Sequence, residues 1–246
     1  MTHGTGVAAY LAGDHLGVIH NANLIGIYAG LLNVPNAYGV PEQEKTLEYL
    51  LMIMDDVIER QLQGKAIINF SFSFEPSDQK DLVQDQLIRK AIVELLDRPD
   101  KLQVVLVTAS GNEGEPDNLY IAHLPAVLAE KETHDVIVVG STTIDGTRSE
   151  WSQFEDWITT HAPGEGLITA TQTWLDLNTA MDGTSISSPK VAGLAAYFRG
   201  LPLLPKWACQ LTNPRTVKAL IRHFHKPLWT LEDIEDREDW EIVPVA

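Results

Sequence analysis

The sequence predicts an α/β protein, a three-layer α/β/α sandwich around a mainly parallel sheet. Three observations predict it. Short, nearly continuous apolar runs recur along the chain, amphipathic helical periods separate them, and two further helical stretches are built largely from small residues. Continuous apolar runs suit strands covered on both faces, as in a parallel sheet flanked by helices.

The expected strands are residues 23–29 (NLIGIYA), 66–72 (AIINFSF), 103–109 (QVVLVTA) and 135–140 (DVIVVG). Between them, Leu47, Leu50, Leu51, Met54 and Ile58 recur at three- and four-residue steps, an apolar helical stripe opposite Glu44, Glu48 and Asp55. Leu87, Ala91, Val93 and Leu95 mark a second helix that should stop before Pro99. Asn213 followed by Pro214 is a cap and first-turn proline, opening a helix to about Phe224. Residues 4–12 (GTGVAAYLA) and 184–200 (TSISSPKVAGLAAYFRG) are crowded with Gly, Ala and Ser. Such helices can lie close to their neighbours, so both are expected to be central and buried.

Composition limits the function classes. The 246 residues carry a net charge of −16, and a surface that acidic repels phosphate backbones, which argues against a nucleic-acid partner. Seven of the acidic residues fall in the stretch 231–241, so residues 231–246 read as a solvated acidic tail behind a domain of residues 1–230. No apolar run approaches the roughly 18 residues of a membrane span, so no membrane partner is expected. The single cysteine, Cys209, excludes a disulfide within the chain and reads as a small buried hydrophobe. The start, Met1-Thr2-His3, opens inside what reads as a structured element, and the sequence assigns no compartment.

Both small-residue helices begin at a residue able to do chemistry. Ser185 stands at the start of the second, after Gly183 and Thr184, with Pro189 in the first turn. Unpaired N–H groups and the positive end of the dipole favour a developing oxyanion there, although a lone serine at this position is ordinarily only a cap. His3 opens the first helix, and a neutral imidazole can take the proton of a serine hydroxyl. Between them, directly after an apolar strand, lies Ala109-Ser110-Gly111-Asn112-Glu113-Gly114. Such a segment makes a turn by default, and Asn112 can also present an amide donor to an oxyanion.

In this order the segments resemble the subtilisin-like serine peptidases (subtilases, peptidase S8 family). His3-Gly4-Thr5 matches the histidine segment, residues 109–114 the oxyanion segment, and residues 183–193 (GTSISSPKVAG) the serine segment. Val138-Val139-Gly140, Trp151-Ser152 and Ala162-Pro163-Gly164 are further landmarks. The resemblance spans about residues 3–200 and implies an endopeptidase that forms an acyl-enzyme at Ser185. His3 would be the general base, with Asn112 and the Ser185 N–H as the oxyanion hole. Ser71, Ser73, Ala109, Ser110 and Gly111 would contact a peptide or protein substrate. Pro125 falls where the family often has a cis proline. No metal site or cofactor is expected; family members often hold calcium, but no dense carboxylate loop calls for it here.

The chain also departs from the family. The third catalytic residue is an aspartate upstream of the histidine, and only Met1 and Thr2 precede His3. Asp14 should sit at the far end of the helix, and Asp182 matches a position without a triad role. The chain is therefore expected to be truncated, lacking the aspartate-bearing strand region, with impaired turnover. A catalytically inactive domain that binds peptides or partner proteins is the alternative. Asn69-Phe70-Ser71-Phe72-Ser73-Phe74 replaces a glycine-containing substrate strand, Lys190 stands where histidine is common, and Glu155 replaces a usual glycine.

Overall fold

The computed structural model describes residues 3–27, 43–71, 90, 102–114, 135–153, 157–169, 179–202 and 209–225. Among them, β1 (Ile67–Phe70), β2 (Val105–Ala109), β3 (Ile137–Thr142) and β4 (Thr160–Pro163) form one sheet in the order β1-β2-β3-β4. Every neighbouring pair is parallel, with Asn69 opposite Val107, Val107 opposite Ile137, and Val139 opposite Thr160.

Apolar residues on both faces of β2 and β3 explain why the sheet is sandwiched. Val105, Val107, Ile137 and Val139 point to one face, where they meet Val191, Ala192 and Ala195 of one helix and Val217 and Ile221 of another. Val104, Leu106, Val136 and Val138 point to the other, against Met54 and Val57. The helices on the first face are α3 (Thr184–Gly200) and α4 (Pro214–Phe224), with α1 (His3–Ala12) lying along α3. The helix on the second face is α2 (Gln43–Glu59). This is the expected three-layer α/β/α arrangement. Each fully buried Val or Ile contributes about 1.5–3 kcal/mol, so β2 and β3 are the centre of the fold.

Local signals set the helix ends. The Asn213 side chain accepts the N–H of Arg215 at 2.9 Å and Pro214 occupies the first turn of α4, as expected. At the far end of α3, the Arg199 guanidinium donates to the carbonyls of Ala66 (2.7 Å), Gln103 (2.8 Å), Leu211 (3.0 Å) and Thr212 (2.8 Å). One side chain thus ties α3 to the starts of β1 and β2 and to the entry of α4. Past β4, a two-stranded antiparallel hairpin, β5 (Leu167–Thr169) and β6 (Thr179–Met181), leads into α3. Its base is closed by the Asp182 carboxylate, which accepts the Gly166 N–H at 2.6 Å.

Several expectations are corrected. Residues 23–27 are not a strand: they pair with no strand among the described residues, and Leu24, Ile25 and Ile27 are exposed. An apolar run becomes a strand only when a ladder partner takes its N–H and C=O groups. On α2 the buried stripe runs through Met54 and Val57, whereas Leu51 and Ile58 face outward. Of the two small-residue helices only α3 is deeply buried; on α1 only Gly6 and Tyr10 are, because α1 packs chiefly on α3, which lies between it and most of the sheet core, and Tyr10 also reaches Ile168 of the hairpin. Cys209 is exposed, in the helical residues 209–211 that precede Asn213. Of the expected helix at 87–95 only Lys90 is described, and it is helical and exposed; Pro125, Ser73, Phe74, Glu155 and the acidic tail 231–246 lie outside the described residues.

Among the described residues no helix is long and apolar enough to cross a membrane, and no group of three His, Cys, Asp or Glu residues could hold a metal ion.

Candidate active site

The site lies beyond the C-terminal ends of β1 and β2, where α3 begins. Residues 110–114 leave β2 and run past the first turn of α3. Three contacts with Thr184 fix them there. The Gly111 N–H donates to Thr184 Oγ1 at 3.1 Å, and Asn112 Oδ1 accepts from the Thr184 N–H at 2.8 Å and from Thr184 Oγ1 at 2.9 Å. With Oδ1 committed to two donors, the network settles the amide orientation and leaves Nδ2 as the outward donor.

Gly183 shows where that donor lies. Its backbone, at φ 149° and ψ 149°, occupies a region open only to glycine. The point where a Cβ would stand is 3.0 Å from Ser185 Oγ, 3.7 Å from Asn112 Nδ2 and 3.7 Å from the Ser185 backbone N. A hydroxyl and two N–H donors therefore surround one open point. A glycine keeps it open.

His3 reaches the same end of the molecule through helix packing. The Lys190 ammonium lies 4.3 Å from the Tyr10 ring centroid, and the backbone of Leu11 touches Gly193, whose missing Cβ would come within 3.2 Å of the Leu11 carbonyl. Leu11 is as many residues past His3 as Gly193 is past Ser185. The contacts ascend both helices together, so α1 and α3 run side by side with His3 and Ser185 at corresponding ends. No hydrogen bond joins the two side chains among the described residues. His3 is exposed overall, yet the protein packed around its imidazole desolvates it and presses its pKa below the ordinary value.

The remaining candidates have distinct surroundings. Ser71 is buried; its Oγ accepts from Asn69 Nδ2 at 2.6 Å and lies 2.7 Å from Ser188 Oγ, tying the end of β1 to the first turn of α3. Ala109 is half-buried, while Ser110 and Gly111 are buried beside Asn112. Gly164, after β4, supports the turn from beneath: its carbonyl accepts the Gly183 N–H at 2.9 Å, and a Cβ there would strike the Gly183 carbonyl oxygen and the hydroxyls of Ser187 and Ser141. Asp14 is exposed in the turn beyond α1, and Asp182 is engaged at the hairpin base. Sequence reasoning missed Thr184, Gln153 and Ser188. Thr184 had a signal, a hydroxyl at a helix start beside the serine. The other two had none.

The comparisons with known proteins agree with this geometry. The profile of the subtilase family (Peptidase_S8) matches residues 1–235. The chain belongs to the subtilase family. Subtilisin-like protease 3 of Pseudogymnoascus destructans is 31% identical over 199 residues, covering 81% of this chain and 43% of that protein. Subtilisin-like protease 4 of Trichophyton equinum is 27% identical over 217 residues, covering 86% and 48% respectively. The subtilase chain thus spans less than half the length of these curated relatives. In fold it is similar to a cold adapted subtilisin-like serine proteinase (TM-score 0.61, 24% identity, 91% of this chain and 67% of the other). It is likewise similar to the prenylagaramide maturation protease PagA (TM-score 0.62, 20% identity, 97% and 76%).

Proposed function

We propose that this subtilase domain is the catalytic part of a serine endopeptidase acting on peptide or protein substrates. Ser185 is the nucleophile and His3 its general base. Asn112 Nδ2 and the Ser185 backbone N–H are the oxyanion donors. The observation that carries this reading is the open point beside Gly183, faced by the Ser185 hydroxyl and both donors. A substrate carbonyl placed there meets Ser185 Oγ on carbon while its oxygen faces Asn112 Nδ2. As the tetrahedral intermediate forms, negative charge grows within reach of these two N–H donors, and donors already in place lower the barrier without reorganisation. The imidazole takes the serine proton and returns it to the leaving amine. Ser71, Ala109, Ser110 and Gly111, with Ser73 two residues past Ser71 in sequence, form the substrate side of the site.

The general base needs a group to hold its other nitrogen. By family resemblance this is an aspartate N-terminal to the histidine, and among the described residues no carboxylate hydrogen-bonds to His3. Removing the aspartate from such a triad costs about four orders of magnitude in turnover, so the rate depends on a carboxylate in that place. The same observation favours a second reading, a peptide-binding domain without catalysis. A fluorophosphonate probe separates the two: covalent labelling at Ser185, abolished by Ser185→Ala and slowed by His3→Ala, supports the peptidase. Absence of labelling with intact peptide binding supports the binding domain.

A further inference from the structure

The outer side of Asn112 is held by two residues to which the mechanism gives no role, Glu113 beside it in the 109–114 segment and Gln153. Glu113 Oε2 accepts the backbone N–H of Asn112 at 2.8 Å and also accepts from Gln153 Nε2 at 3.2 Å. Gln153 comes from the segment following Trp151 and Ser152, far away in sequence, and is only 2% exposed. Its own backbone N–H faces the Gly111 carbonyl at 3.4 Å, and Gly114 packs against the Glu150 carbonyl so closely that a Cβ would come within 2.7 Å of it. The 150–153 segment therefore braces the 111–114 segment from outside, while Thr184 grips it from inside.

The Gln153 amide can face only one way. Turning it over would set Oε1 against the Glu113 carboxylate, two acceptors with no proton between them. In the orientation present, Oε1 is buried and has no hydrogen-bond partner among the described residues. Burying an unmatched amide oxygen costs free energy. A side chain kept here at that cost is being used through its other end, the donor to Glu113.

We propose that Gln153 and Glu113 are positioning residues, a relay that fixes the backbone of Asn112 so that its side-chain amide stays aimed at the point beside Ser185. Neither reaches the reacting atoms. Glu113 holds the Asn112 N–H, and Gln153 holds the rotamer of Glu113 against solvent. Its mechanistic meaning rests on the reading of Asn112 as an oxyanion donor, but the relay itself is a statement about the Asn112 conformation. It is testable without turnover.

The test is NMR of the chain as given, read at the Asn112 backbone N–H and at its Nδ2 proton pair, in wild type, E113A, E113Q and Q153L. Glu113 is exposed, so E113A leaves the core alone. The Asn112 N–H should exchange with solvent about two- to tenfold faster in E113A and in Q153L, the loss of one hydrogen bond of ordinary strength. The Nδ2 pair should broaden in both. E113Q, whose amide oxygen can still accept the Asn112 N–H, should restore most of the protection. Amides of β2, β3 and α3 should not change, which separates positioning from general loosening. Unchanged Asn112 exchange and Nδ2 line shape in E113A would overturn the proposal, and so would equal loss in E113Q and E113A. These outcomes are independent of whether Ser185 reacts.

Discussion

Ser185 Oγ and Asn112 Nδ2 converge on one open point beside Gly183, at 3.0 Å and 3.7 Å from it. A hydroxyl and an amide donor within reach of the same small volume are an arrangement a cap does not need. Ser185 is a helix-start serine, and capping would be satisfied by a hydroxyl turned back onto the helix N–H groups. The point is kept open by a glycine whose backbone angles exclude other residues. Gly183→Ala should therefore fill it and strain the turn, destabilising the domain by about 1–3 kcal/mol. Labelling of Ser185 by a fluorophosphonate should fall at least a hundredfold, the usual scale for a disabled oxyanion site. Comparing labelling rates with the urea midpoint separates the two effects.

As the proposed general base, His3 should set the acid limb of that labelling. Only the neutral imidazole accepts the serine proton, and desolvation holds its pKa below the ordinary value of 6.5. A lowered pKa keeps the ring neutral further into acid, so the labelling rate should stay flat through pH 6.5 and fall only below it. For stability, the unfolded chain binds the proton first as pH drops below 6.5, so the folded state loses ground in that window. His3→Ala should remove the acid limb together with most of the rate. A wild-type limb centred above 6.5 would contradict the desolvation.

Gly164 and Gly183 meet through a hydrogen bond, the Gly183 N–H donating to the Gly164 carbonyl at 2.9 Å. Gly164→Ala brings a methyl against the Gly183 carbonyl oxygen and two buried serine hydroxyls. Backbone cannot step aside as a flexible side chain can, so the turn must move. The expected cost is about 1–3 kcal/mol, read from chemical denaturation. Labelling of Ser185 should fall more than for an equally destabilising change on α4.

Arg199 is the opposite case, a cation with acceptors but no ion-pair partner among the described residues. Four carbonyls share its guanidinium, and burial pushes its pKa down to about 10, still well above neutrality. Arg199→Met leaves the Gln103, Leu211 and Thr212 carbonyls without this donor, while the Ala66 carbonyl keeps the Val105 N–H. The loss should be about 3 kcal/mol or more, since each buried acceptor left unmatched costs about 1–3 kcal/mol. Arg199→Lys keeps the charge but not the planar fork, and should recover only part. Urea unfolding midpoints for the three proteins give the ranking.

The elements read correctly from sequence were those whose signals are local or doubly enforced. Val105, Val107, Ile137 and Val139 sit in runs apolar on both faces, which only a covered strand explains, and Asn213-Pro214 carries its own cap chemistry. The misreadings all depended on partners the sequence does not name. Residues 23–27 have strand composition but no ladder among the described residues, and α1 has the composition of a buried helix yet packs chiefly on α3. β4, with the sequence THAP, gave no apolar signal because only Ala162 joins the apolar core, while the buried His161 packs against Gly140. At the site, the motif residues were legible because each type has a chemical role. Gln153 was not, because its role exists only once the segment around 150 folds against 111–114.

Lys190 is a residue in which this chain departs from the family motif, and the departure has a measurable consequence. Its Nζ donates to the Pro163 carbonyl at 2.6 Å and stands over the Tyr10 ring, and no carboxylate among the described residues pairs with it. Desolvation pulls its pKa from 10.5 down to about 8, and buried Lys218 on α4 falls to about 8 as well, chiefly by desolvation, with Arg222 adding to it and Asp135 opposing it. For a lysine this direction means that the folded state disfavours the proton. Between about pH 8 and 10.5 the unfolded chain holds more protons than the folded one, so these two groups make stability rise with pH across that window and weigh against folding below it. Replacing a cation that lacks an ion-pair partner by an apolar residue of similar length removes this burden. Lys190→Met should thus unfold at a higher urea concentration than wild type at pH 7, by a margin that shrinks towards pH 10. The double variant with Lys218→Met should remove most of the slope. A margin that stayed constant from pH 7 to 10 would show that the Lys190 ammonium is not disfavoured in the fold, its carbonyl and ring contacts then outweighing the lost hydration.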